Sequence, residues 1–148
     1  MLNNFRKNNK SGFSLLELVL AVTVFSLSSF AIATLMIDSS ISTKLSSERN
    51  EALSYAKEGI EATRSIRNNS WASLTPGTYG LVSDDSGWSF VESFDLIDDK
   101  YRRVIEIADI IQDSISARSV RVSVSWDLTP SRTASTTLNT ILTNWKNN

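Results

Sequence analysis

Between Leu18 and Ile37 the chain runs for 20 residues without an Asp, Glu, Lys or Arg, and one carboxylate, Glu17, stands directly before that run. Wound as an α-helix at about 1.5 Å per residue, the stretch reaches about 30 Å, the thickness of a bilayer's hydrocarbon core. A carboxylate at that depth costs on the order of 3 kcal/mol, so a chain that keeps one there needs a partner that neutralises it. The obvious partner is an amine. If the chain is cut after Gly12, the new α-amino group falls on Phe13, four residues before Glu17, on the same helical face and at the positive end of the helix dipole. The same amine can pair with Glu17 of a neighbouring copy.

The residues around this carboxylate, Lys10-Ser11-Gly12 followed by Phe13-Ser14-Leu15-Leu16-Glu17-Leu18, resemble the class III signal of type IV pilins and type II secretion pseudopilins. The resemblance implies that a prepilin peptidase cuts between Gly12 and Phe13 and N-methylates Phe13. It also implies that Glu17, the fifth mature residue, guides subunits into a helical filament. The same N-terminus also reads as an ordinary secretory signal, with Arg6, Lys7 and Lys10 before the apolar stretch and a small-residue cleavage site at Ala31-Ile32-Ala33. That reading would release a soluble domain from Thr34. Its apolar region exceeds the usual core of about 7 to 15 residues, and Glu17 has no role in it.

Composition narrows the rest. The chain has 148 residues with neither Cys nor His, which removes disulfides, thiol nucleophiles and the commonest general base and metal ligand. Many type IV pilins close a C-terminal loop with a disulfide, so stabilisation here is expected from packing and strand pairing. Removing the leader takes Arg6, Lys7 and Lys10 from 15 basic residues, leaving 12 against 16 acidic and a formal charge of -4. A nucleic-acid footprint is not evident.

The polar, basic stretch 1–12 reads as a leader held in the cytoplasm, with residues 13–37 as a membrane-spanning and filament-core helix and everything after it outside. Thr23, Ser26, Ser28, Ser29 and Thr34 fit such a helix by bonding to carbonyls of the preceding turn. The family often carries a kinking Pro here, and this chain has none. The helix is expected to continue through 38–69, because Ile41, Leu45, Ala52, Ala56, Ile60 and Thr63 recur at three-to-four-residue spacing and form a stripe suited to face a sheet. Glu48, Arg49, Glu51, Lys57, Glu58, Glu61 and Arg64 fall mostly off the stripe and read as a solvated face. A helix from Ser14 to Asn68 would be roughly 80 Å long, too long to be buried in a domain of this size.

From Trp71 the period changes. Thr78 to Val82 and Trp88 to Val91 read as a hairpin joined at Asp84-Asp85-Ser86-Gly87, and Tyr101 to Ala108 as a third strand. Ser119 to Asp127 alternates clearly, with Val120, Val122, Val124 and Trp126 on one face and Arg121, Ser123 and Ser125 on the other. Thr133 to Leu142 follows a turn at Thr129-Pro130-Ser131. The fold expected is α+β: a long N-terminal helix packed on an antiparallel head of three to five strands over residues 70–148. Resemblance to pilins implies the same architecture.

Few residues suggest chemistry beyond assembly. Asp84-Asp85, Asp98-Asp99 and Asp95 are oxygen ligands of the kind Ca²⁺ takes, but their spacing matches no EF-hand, and acids in turns are ordinarily solvated turn formers. Arg102, Arg103, Arg118, Arg121 and Arg132 offer a DNA surface, balanced by nearby acids. No catalytic residue, cofactor or metal is expected, and the chain does not read as an enzyme. The reading is a structural prepilin subunit, nearer to minor than to major pilins, working with prepilin peptidase, other pilin subunits and an inner-membrane assembly platform. It would be single-pass in the cytoplasmic membrane before assembly and extracellular in the filament. The alternatives are a minor pseudopilin of a type II secretion system, or a membrane-anchored or secreted binding module that never polymerises.

Overall fold

The computed structural model describes residues 12–112 and 115–145. Helix α1 spans Leu15–Asn69, followed by a short 3-10 turn at Trp71–Ser73. Six strands follow: β1 Gly77–Asp84, β2 Gly87–Glu92, β3 Asp95–Ile97, β4 Tyr101–Gln112, β5 Ile115–Thr129 and β6 Arg132–Thr143. The chain divides into two units, one ending at Lys44 and one beginning at Leu45.

In the first unit every described residue is exposed, including Phe25 at 73% and Phe30 at 71%. The helix is long and apolar enough to cross a membrane. The hydroxyls of Thr23, Ser26, Ser28, Ser29 and Thr34 each donate to a carbonyl three or four residues back, at 2.7 to 2.9 Å, as expected of polar groups placed in lipid.

In the second unit the helix lies on one face of an antiparallel sheet ordered β2-β1-β4-β5-β6, with β3 paired to the Tyr101–Arg103 end of β4. Val120, Val122 and Val124 of β5 are fully buried, as their alternation predicts. They meet Ala52, Ala56, Ile60, Thr63 and Ile66 of α1, with Ile105 and Ile107 of β4 and Leu142 of β6 completing the core. The stripe predicted from Ile41 is shorter than its periodicity: Ile41 and Leu45 are 53% and 41% exposed. A helical period persists past the end of the surface it packs on, so spacing alone does not mark where burial stops.

Two further expectations are corrected. The sheet has six strands, because the three-residue β3 is too short to carry a period of its own. Glu48, read as part of a solvated face, is buried, because it sits four residues before Ala52 on the packed stripe.

Candidate functional site

The segment on which the sequence places processing is the start of α1. Gly12, Phe13 and Ser14 precede the helix in non-helical backbone, and Phe13 is 87% exposed. Ser14 caps the helix: its hydroxyl accepts the Leu16 N–H at 3.3 Å, and its carbonyl accepts the Leu18 N–H at 3.1 Å. The Gly12–Phe13 bond therefore lies in exposed, non-helical chain just outside the first turn. A Cβ added at Gly12 would meet nothing within 4 Å among the described residues, so no contact there demands glycine. Glu17 occupies the first turn, where backbone N–H groups lack helical acceptors and the dipole favours an anion. It is exposed, and residues after it present Leu18, Val19, Leu20, Val22 and Val24 all round the helix. Such a surface is stable only against lipid or other apolar helices.

In the head, the chemistry-bearing residues are turned to a different use. Beside the apolar stripe of α1 runs a polar row, Glu48, Glu51, Tyr55 and Glu58, that meets the chain from Asp95 to Arg103. Glu48 accepts from Lys100 at 2.9 Å and from the Trp126 indole at 3.3 Å. Tyr101 donates to Glu51 at 2.6 Å and Tyr55 to Asp98 at 2.9 Å. Arg103, 2% exposed, donates to Asp95 at 2.9 and 3.3 Å, to Glu58 at 3.0 Å and to the Tyr55 carbonyl at 3.2 Å. Asp95 also accepts the Leu81 N–H at 2.9 Å, which ties β1 into the same network.

The acids considered for calcium are thereby dispersed. Asp95 neutralises Arg103, and Asp98 takes the Tyr55 hydroxyl while adopting, with Asp99, the left-handed backbone of a tight turn at φ 53°. Asp84 accepts the Ser86 N–H and hydroxyl at 2.9 and 2.8 Å; that hydroxyl bond first, then the backbone one, lowers its pKa. Among the described residues, no three acidic side chains group as a metal-holding cluster. The arginines considered for DNA are similarly divided. Arg103 faces the core. Arg118 bonds the carbonyls of Trp71 and Leu74 and pairs with Asp109, and Arg121 pairs with Glu106 on the outer face. Residue types alone missed the helix-to-sheet network; its signal is the spacing of Glu48, Glu51, Tyr55 and Glu58, at intervals of three and four beside the apolar stripe.

These features define an α+β, pilin-like architecture: one long, N-terminally apolar helix packed on a six-strand antiparallel sheet. Residues 7–33 match a family model described as the prokaryotic N-terminal methylation motif. That match supports the class III signal and a type IV pilin-like or pseudopilin-like precursor, with processing by a prepilin peptidase and assembly with other pilin subunits implied by the motif. It suggests a structural subunit, and with the apolar helix it fits a membrane-anchored pilin later found in an extracellular filament. No curated protein and no solved structure matches the chain.

Proposed function

We propose that the chain is a prepilin cut between Gly12 and Phe13, N-methylated on Phe13, and drawn into a pilus-like filament as a minor subunit. The observation that carries this reading is the placement of Glu17 in the first turn of an exposed apolar helix, three residues after an accessible Gly12–Phe13–Ser14 segment. Cleavage creates a cation four residues before Glu17. In the cleaved form still held in the membrane, that amine neutralises Glu17 within the chain. On assembly it pairs with a neighbour's carboxylate while the apolar faces exchange lipid for other helices. Residues 1–12 are the leader, 13–37 the membrane and filament-core segment, 38–69 the amphipathic continuation and 70–148 the head. Arg6, Lys7 and Lys10 hold the N-terminus inside, which leaves the head outside for incorporation by an inner-membrane assembly platform. A minor pseudopilin of a type II secretion system shares this N-terminal physics, and genes for a retraction motor or a secretion channel beside its own distinguish the two.

The test is mass spectrometry of the N-terminal peptide from the native envelope. A mature chain beginning at N-methylated Phe13 is expected. Gly12→Val should remain uncut, and Glu17→Ala should be cut yet largely absent from sheared filaments. A native start at Thr34, or filament incorporation of uncut Gly12→Val, refutes the proposal.

A further inference from the structure

At one corner of the head the end of α1 and the 3-10 turn meet the chain leaving β6. Between them lies a cavity of about 310 Å³ lined by Arg67, Asn68, Asn69, Trp71, Asn144 and Trp145 among others. Trp145 is 58% exposed. Trp71 is held in place: the Arg118 guanidinium lies over its ring, 4.8 Å from the centroid. Arg118 is itself fixed by bonds to the Trp71 and Leu74 carbonyls and by Asp109 at 3.0 Å. Arg67 donates to the Asn68 side-chain oxygen through Nε at 3.2 Å and Nη2 at 2.9 Å, which orients that carboxamide. The corner thus combines two indoles, one of them clamped, with three carboxamides.

We propose that this corner binds a neutral glycan. An indole offers a flat apolar face to the C–H face of a pyranose ring. A carboxamide presents an acceptor and two donors within one group, which suits adjacent sugar hydroxyls that each donate and accept. Among the described residues, the lining holds one cation, Arg67, and no carboxylate. A nucleic acid would need several phosphates neutralised, and the excess of acidic side chains in the chain opposes a polyanion. The volume is at the lower end of ligand pockets, which fits one or two sugar units of a longer chain. The inference concerns the head alone and does not depend on cleavage or filament assembly.

The experiment uses the full chain in micelles of a sugar-free amine-oxide detergent, since glycoside detergents would compete. Cellotetraose, chitotetraose, maltotetraose and an oligothymidylate are titrated in turn, with tryptophan fluorescence and calorimetry as readouts. Saturable binding of at least one tetrasaccharide is expected, with a Kd between about 10 µM and 1 mM. Trp145→Ala should weaken it about tenfold or more. Asn144→Ala should weaken it by a smaller factor, and both variants should keep the wild-type thermal midpoint. Absence of saturable binding to all three sugars overturns the proposal, as does binding that Trp145→Ala leaves unchanged. Binding of oligothymidylate alone overturns it in favour of a nucleic-acid surface.

Discussion

The Tyr101 hydroxyl donates to Glu51 at 2.6 Å from a side chain that is 1% exposed. Burial is the main cause that raises its pKa; the Glu51 bond adds to it, and Lys100 acts in opposition. Tyr55 is shifted the same way, first by its bond to Asp98, and Lys100 is raised first by its bond to Glu48. In each case the folded state holds its proton more tightly than the unfolded chain. The stabilisation is therefore fully present below the ordinary values of 10.0 for Tyr and 10.5 for Lys, and is lost as pH rises through the folded-state values. The head should keep its stability from neutrality to about pH 10 and lose it above. Tyr101→Phe should cost about 0.5–1.5 kcal/mol at neutral pH and make the alkaline loss shallower. Thermal midpoints of both proteins by near-UV circular dichroism, at about pH 8 and pH 11, check this; an alkaline loss just as steep in Tyr101→Phe contradicts the assignment. These roles were hidden in the sequence for a physical reason. A lone acid or base reads as solvated, because burial of a charge is favourable only with a partner. Glu48 finds Lys100 52 residues away, and Arg103 finds Glu58 45 residues away as well as Asp95 on a neighbouring strand-forming segment eight residues back.

Elements whose signal is periodic were legible, and contacts between elements were not. The Val120-Val122-Val124-Trp126 alternation located β5 and its buried face, and the Asp84-to-Gly87 turn located the first hairpin, where Asp84 pairs with Gly87 across a two-residue loop. One close approach of helix to sheet was not marked by any period. It falls at Gly59, where an added Cβ would sit 2.8 Å from Val122 Cγ1 and 3.3 Å from Arg103 Cδ. Val122 is fully buried and, being β-branched, has little freedom to turn away. Glycine within a helix is disfavoured by about 1 kcal/mol against alanine, so propensity alone predicts that Gly59→Ala stabilises. Overpacking opposes it at about 1–3 kcal/mol, and the net expectation is a loss of up to about 2 kcal/mol. In a double-mutant cycle, Val122→Ala should relieve part of the Gly59→Ala penalty, with a coupling of about 0.5–3 kcal/mol in urea unfolding. A higher midpoint for Gly59→Ala alone would show that the contact does not limit packing.

At the scale of the whole chain, burial begins at Glu48, and none of residues 12–47 is buried. The hydrophobic core runs from Ala52 to Leu142, entirely within the unit that begins at Leu45. The membrane-length segment and the head thus draw on different sources of stability: apolar surroundings for the first, and for the second a core that roughly 100 residues are enough to close. Among the described residues, a chain beginning at Leu45 keeps every buried side chain and every strand pairing, and loses only helix and its short lead-in whose residues are exposed. It is therefore expected to be soluble and monomeric, with cooperative unfolding and a thermal midpoint within about 5 °C of the head transition of the full chain in micelles. The full chain should require detergent or lipid, because its exposed Leu, Val and Phe side chains otherwise associate. Circular dichroism melts and sedimentation of the two proteins provide the comparison. A fragment that melts more than about 10 °C lower, or without cooperativity, would mean that residues before Leu45 hold the head together, and the division of stability argued from burial would be wrong.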